Sequence, residues 1–95
     1  MEVTIGGATP DDIQNIALTT ALTALTFTKG INSFMLQTRS NTAFRLYKTN
    51  DAAGNYWLVK AGQIFSADLQ VEPGDTTLYV RTDTGSDTLE VFGLL

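Results

Sequence analysis

Short segments of alternating apolar and polar residues, separated by turn residues, follow one another from Leu22 to the end of the chain. This period of two is typical of half-buried β-strands. The chain also contains no histidine and no cysteine, which excludes disulfides, thiolate metal sites and imidazole chemistry. We therefore expect a small all-β protein that holds or binds something.

The alternation predicts the position and the inward face of most strands. Residues 31–39 and 42–48, joined by a turn at Ser40-Asn41, predict a β-hairpin, and further strands are expected at 22–28, 56–59, 64–71, 77–82 and 87–93. The apolar residues that share one side of their segments are Phe34, Leu36, Phe44, Leu46, Phe65, Leu78, Val80, Leu89 and Val91. We predict a single antiparallel β-sandwich, jelly-roll-like, of about seven or eight short strands.

The N-terminal region has a weaker pattern. We predict an arm at residues 1–20, extended or with one or two helical turns, followed by a β-sandwich domain at residues 21–95. Thr9 as a cap, Pro10 at the first helical position and the two aspartates after it favour a helix start. A strand covering residues 16–19 is the alternative.

The charge balance narrows the possible partners. Ten acidic and six basic residues give a formal net charge of -4, which disfavours nucleic-acid binding because that binding needs clustered cations. The N-terminus lacks the basic and apolar regions of a signal peptide, and no segment is long and apolar enough for a membrane span. We expect a protein made in the cytoplasm that binds neither nucleic acid nor membrane.

Two motifs suggest chemistry, and each has a simpler structural explanation. Asp83-Thr84-Gly85-Ser86 matches the tetrapeptide of aspartic proteases, but in the retroviral members of that family it lies in the first third of the chain, whereas here only residues 87–95 follow it. Aspartate and glycine are also ordinary turn residues. The pairs Glu72 with Asp75 and Asp83 with Asp87 are calcium candidates of the same kind. We therefore predict no enzymatic activity, no metal and no cofactor.

Large residues at the outward positions of the strands form a candidate binding face. They are Met35, Arg45, Tyr47, Tyr79, Arg81 and Phe92. Aromatic residues, methionine and arginine are enriched where proteins meet, although pairs of tyrosine and arginine also occur on ordinary solvent-exposed sheets. We expect Trp57 to be a core residue; as the alternative, Trp57 with Tyr56 and Asn55 forms a sugar-binding site.

Three segments resemble a known class of proteins. A turn at Lys29-Gly30, the segment Tyr56-Trp57-Leu58-Val59-Lys60-Ala61-Gly62 and the strand Leu78-Tyr79-Val80-Arg81 resemble, in that order, small tailed-phage virion proteins of β-sandwich type. The resemblance covers residues 22–95. It implies a capsid decoration or cement protein that docks on other virion proteins by one sheet face and its N-terminal arm. A tail or fibre protein, a sugar-binding module and a homo-oligomer remain open.

Overall fold

The computed structural model describes residues 10–27, 30–68, 70–72 and 76–94, and these residues form an all-β fold. Eight strands follow one another: β1 Pro10–Leu18, β2 Thr23–Thr26, β3 Ser33–Thr38, β4 Phe44–Tyr47, β5 Tyr56–Val59, β6 Phe65–Ala67, β7 Thr76–Thr82 and β8 Asp87–Leu94. They form two four-stranded sheets, which we call sheet I, in the order β1-β8-β3-β6, and sheet II, in the order β2-β7-β4-β5.

The strand pairing is that of a jelly roll. β1 pairs with β8, β2 with β7, β3 with β6 and β4 with β5, all antiparallel. The chain is thus folded back on itself as one long ribbon whose tip is the β4–β5 hairpin. Two further pairings, β8 with β3 and β7 with β4, complete the two sheets. The predicted jelly-roll-like sandwich is confirmed.

The core lies between the two sheets and contains the apolar residues of the predicted inward positions. Leu36 and Leu89 on sheet I and Phe44 and Val80 on sheet II are each at most 1% exposed. Burying a side chain of this size contributes about 1.5–3 kcal/mol, so the inward residues of the alternating pattern stabilise the packing of the two sheets. Phe27, in the connection after β2, completes the core and is 1% exposed.

The first strand differs from the predicted arm. Pro10–Leu18 is extended and pairs with β8 along its length, so the predicted helical turns do not occur at residues 10–20, and residues 10–18 are part of the sandwich. The capping signals are outweighed because pairing with β8 satisfies the backbone while Leu18 is buried in the core. Residues 1–9 of the predicted arm lie outside the described residues.

The predicted hairpin of residues 31–48 is wrong. β3 belongs to sheet I and β4 to sheet II, so the turn after Thr38 carries the chain across the sandwich. The turn at residues 83–86 likewise connects sheet II with sheet I and is not a hairpin turn. Local turn residues show that the chain reverses, but they do not show whether the next strand pairs with the last one or crosses over the core.

Candidate interaction surfaces

The six residues of the predicted binding face lie on opposite sides of the molecule. Met35 on β3 and Phe92 on β8 are on the outer face of sheet I. Arg45, Tyr47, Tyr79 and Arg81, on β4 and β7, are on the outer face of sheet II. Outward positions on two packed sheets point in opposite directions, so the prediction of one shared face is wrong.

The outer face of sheet I carries an apolar patch. Ile13, Phe92 and Met35 face one another across β1, β8 and β3, and Ile64 lines the same shallow depression. Ile13 is 67% exposed and Ile64 is 61% exposed. We call these four residues the apolar patch. Contiguous exposed apolar surface of this kind marks interaction sites more often than isolated apolar residues do.

Polar side chains border the apolar patch and are held in place by one another. Gln37 Nε2 donates a hydrogen bond to Glu90 Oε1 at 3.0 Å, and Arg39 Nε donates to Glu90 Oε2 at 3.3 Å. Asn15 also lines the depression. The apolar patch thus has a polar rim, in which Arg39 neutralises the carboxylate of Glu90. An apolar centre with a polar rim is the usual arrangement of a protein interface.

Sequence reasoning missed two members of the apolar patch. Ile64 was detectable, because the period of two that turns Phe65 inward also turns Ile64 outward. Ile13 was hidden by the helix-start pattern at residues 9–12. It is on the patch because β1 is a strand paired with β8.

The outer face of sheet II is a network of tyrosine and arginine side chains. Tyr79, Tyr47 and Tyr56 face one another across β7, β4 and β5, and Arg81 and Arg45 occupy the next row. Arg81 Nε donates a hydrogen bond to the Tyr47 hydroxyl at 3.1 Å. The Arg45 guanidinium stands 4.3 Å from the centre of the Tyr56 ring.

Tyr47 is a structural residue and not a contact residue. Its side chain is 1% exposed although it points away from the core, because the neighbouring tyrosines and arginines cover it. Burial by itself raises the pKa of its phenol, but the hydrogen bonds and positive charges of Arg45 and Arg81 together lower that pKa below its ordinary value. The Tyr47 hydroxyl thus anchors both arginines, and only their outer surfaces remain for a partner.

The edge strand β5 exposes three consecutive large side chains. Tyr56 is 47% exposed, Trp57 is 68% exposed and Leu58 is 41% exposed. Trp57 was predicted as a core residue, and that prediction is wrong. It points to the inner side of sheet II opposite Leu46, but β5 is the last strand of the sheet, so most of the indole remains open to solvent.

A groove beside β5 brings the predicted sugar-binding residues together. Asn55, Tyr56 and Trp57 all line it together with Lys48, and its apolar residues are Leu46, Phe65 and Leu78. Tyr56 and Trp57 are adjacent in a strand, so their rings point to opposite faces of the sheet. They cannot stack on the same face of one sugar ring.

The protease-like tetrapeptide has structural roles. Asp83 Oδ1 accepts a hydrogen bond from Arg45 Nε at 2.6 Å, and the Thr82 hydroxyl donates to the Gly85 carbonyl at 2.6 Å. Gly85 has a φ of 71°, a backbone conformation that favours glycine. These contacts shape the connection from β7 to β8, so the motif is explained as a turn.

The carboxylates of the calcium candidate pair Asp83 and Asp87 also have structural roles, each with different partners. The carboxylate of Asp87 accepts backbone hydrogen bonds from Ser40, Thr42 and Thr88, while that of Asp83 is held by Arg45. Asp75, the partner of Glu72 in the other pair, lies outside the described residues. The described part of the chain contains no group of three or more acidic side chains placed to hold a metal ion, and it contains no helix that could span a membrane.

The chain matches no protein-family model, no curated protein and no solved structure.

Proposed function

We propose that the protein is a non-enzymatic structural component of a phage particle, of the capsid decoration or cement kind. It docks on other virion proteins through the apolar patch. The single observation that carries the docking role is the apolar patch itself. It lies on the outer face of sheet I, and two of its four residues, Ile13 and Ile64, are more than 60% exposed.

The class of partner rests on the resemblance of residues 22–95 to small phage virion proteins. The jelly-roll sandwich is compatible with it, because that architecture is common in capsid-associated domains. A virion location follows from the same proposal, with synthesis in the host cytoplasm. The charge of -4 favours contacts with protein over contacts with packaged nucleic acid.

A sedimentation experiment with purified particles tests this proposal. Particles from the phage that encodes the chain, stripped of it or assembled without it, are mixed with the purified protein and pelleted. The test variant carries Met35→Ser and Ile64→Ser. Removing two apolar contacts of this size should cost about 2 kcal/mol of binding free energy, which weakens binding roughly 30-fold.

The matched control carries Trp57→Ser and Leu58→Ser on the opposite sheet, where exposed apolar area is removed but the apolar patch is intact. Its occupancy on the particles should equal that of the wild type. If the control variant lost binding while the patch variant bound normally, the contact with the particle would lie at β5 and not at the apolar patch. Absence of wild-type protein from the pelleted particles would refute the proposed function.

A sugar-binding module is the second candidate, and the exposure of Trp57 favours it. Exposed indoles stack on the apolar faces of sugars, and Asn55 and Lys48 beside the groove offer polar groups for hydroxyls. Trp57 is the single tryptophan of the chain, so its fluorescence reports directly on this groove. A glycan array followed by titration of each hit should shift the emission if this candidate is right, and Asn55→Ala should weaken that response.

A further inference from the structure

The longest strand edge of the described structure is that of β1. Four strands lie at the edges of the two sheets, β1, β6, β2 and β5. β2 and β5 have four residues each and β6 has three, whereas β1 has nine. The outer edge of a strand presents unpaired N–H and C=O groups, so a long one is a template for another strand.

From Ile13 to Leu18, β1 lacks the usual protections of an edge strand. Such edges are commonly blocked by lysine, by proline or by a bulge. Between Ile13 and Leu18 the sequence has no lysine, no proline and no charged residue, and the pairing with β8 is regular. The protective features lie at the start of the strand, where it has Pro10, a register shift between Pro10 and Asp12, and the charged Asp12, which is 9% exposed.

The side chains of β1 suit a second copy of the same strand. We propose that the protein forms a two-fold dimer in which β1 pairs with β1 of a second copy, antiparallel, around an axis through Asn15. This goes beyond the proposed function and does not depend on it.

The register follows from which residues share a face. Ile13, Asn15 and Ala17 are exposed on the outer face of sheet I, and a two-fold axis perpendicular to that sheet keeps them on the same face of both copies. An axis at Asn15 sets Ile13 opposite Ala17, so the apolar side chains face each other. An axis at Gln14 would instead set Ile13 opposite Asn15.

Charge favours the same register. The acidic residues 11 and 12 lie at the N-terminal end of β1. With the axis at Asn15, Asp12 of one copy is opposite Leu18 of the other, and the two Asp12 residues are about 20 Å apart. An axis at Ile13 would bring the acidic ends of both copies together, and the like charges would repel.

The contact is small, so the dimer should depend on concentration. Seven facing residues per strand form roughly six to eight backbone hydrogen bonds in an antiparallel pair. Ile13, 67% exposed in the single chain, gains Ala17 of the second copy as a cross-strand neighbour, while its outward side stays part of the apolar patch. The dimer would also join the two copies of sheet I into one continuous sheet and place both apolar patches on the same side. Two-point docking then raises the apparent affinity for a repeating surface.

Single-cysteine variants test the proposal directly, because the natural chain contains no cysteine. Directly opposed residues of antiparallel strands have Cβ atoms about 4.5–5.5 Å apart, close enough for a disulfide after a small adjustment. We expect Asn15→Cys to form a covalent dimer under mild oxidation. A tagged Ile13→Cys variant should cross-link to Ala17→Cys, while neither forms a dimer by itself.

The control variant is Leu58→Cys, at a position that is 41% exposed on the edge strand β5. It should remain monomeric under the same oxidation. Light scattering after size exclusion should show the wild-type mass rising towards a dimer with concentration, and Ile13→Lys should weaken this association roughly tenfold or more. Circular dichroism checks that each variant is folded.

Three outcomes would overturn the proposal. The first is a wild-type protein that stays monomeric up to millimolar concentration. The second is cross-linking of Leu58→Cys as fast as that of Asn15→Cys. The third is the failure of folded Ile13→Cys and Ala17→Cys to cross-link to each other. This last test does not need Asn15→Cys, so misfolding of that variant leaves the proposal testable.

Discussion

Asp87 is expected to stabilise the connection between the two sheets, and its substitution should lower the stability of the fold. It is the first residue of β8, and its carboxylate accepts hydrogen bonds from the backbone N–H groups of Ser40 at 3.1 Å, Thr42 at 3.2 Å and Thr88 at 2.6 Å. Ser40 and Thr42 lie in the crossover from β3 to β4. One side chain therefore ties the start of β8 to the point where the chain changes sheets.

The expected magnitude follows from these contacts. Hydrogen bonds to a charged group contribute about 1.5–3 kcal/mol, and since Asp87 is only half-buried we expect Asp87→Ala to lower the free energy of unfolding by about 2 kcal/mol. For a domain of this size the melting temperature should fall by roughly 8–16 °C. Asp87→Asn keeps one carbonyl oxygen as an acceptor and should cost about half as much.

The effect should depend on pH with a definite sign. Burial alone raises the pKa of Asp87, but the hydrogen bonds from Thr42, Thr88 and Ser40 together hold it below the ordinary value. The folded state thus favours the ionised form. This stabilisation is fully present above the pKa of the unfolded chain, about 3.9, and is lost as the pH falls through the lower folded pKa.

Urea unfolding followed by far-ultraviolet circular dichroism measures the difference between wild type and Asp87→Ala. The difference should be constant from about pH 7 to pH 5 and should shrink towards about pH 2. Asp68→Ala, at an exposed carboxylate, is the control and should change stability by less than about 0.5 kcal/mol. A difference for Asp87→Ala that is the same at all pH values would refute the role assigned to its charge.

Three further measurements test other parts of the structure. Tyr47→Phe should destabilise the fold by about 1 kcal/mol. In a pH titration followed by tyrosinate absorbance, the variant should lose a component whose midpoint lies below 10.0, since the arginines lower the pKa of this phenol. An unchanged titration would contradict the hydrogen bonding of Tyr47 with the arginines. Gly93→Ala should lower the free energy of unfolding by about 1–3 kcal/mol in thermal or urea unfolding, because the new Cβ would lie 3.2 Å from the Phe27 ring. Unchanged stability would show that the Phe27 side chain moves to accept the new methyl group. Acrylamide should quench Trp57 nearly as well in the folded as in the unfolded protein, and strong protection in the folded state would contradict its exposed position on β5.

The candidate surfaces were only partly predictable. The outward direction of Met35 and Phe92 follows from the period of two, because successive side chains of a strand point to opposite faces. Their separation from Arg45 and Arg81 does not follow, since it depends on which sheet each strand joins. Trp57 shows the same limit: its direction along β5 is inward, yet its exposure is decided by the position of β5 at the sheet edge.

By itself the sequence determined the class of fold, most strand positions and the inward side chains. These are local properties, because a period of two with turn residues between segments leaves a strand one apolar face to bury. Only the tertiary structure decided that β3 and β4 are in different sheets, that β1 is a strand and that Ile13 and Ile64 join Met35 and Phe92. Strand pairing is set by contacts between residues far apart in the chain, such as Ile13 with Phe92, and a short local pattern is compatible with several such pairings.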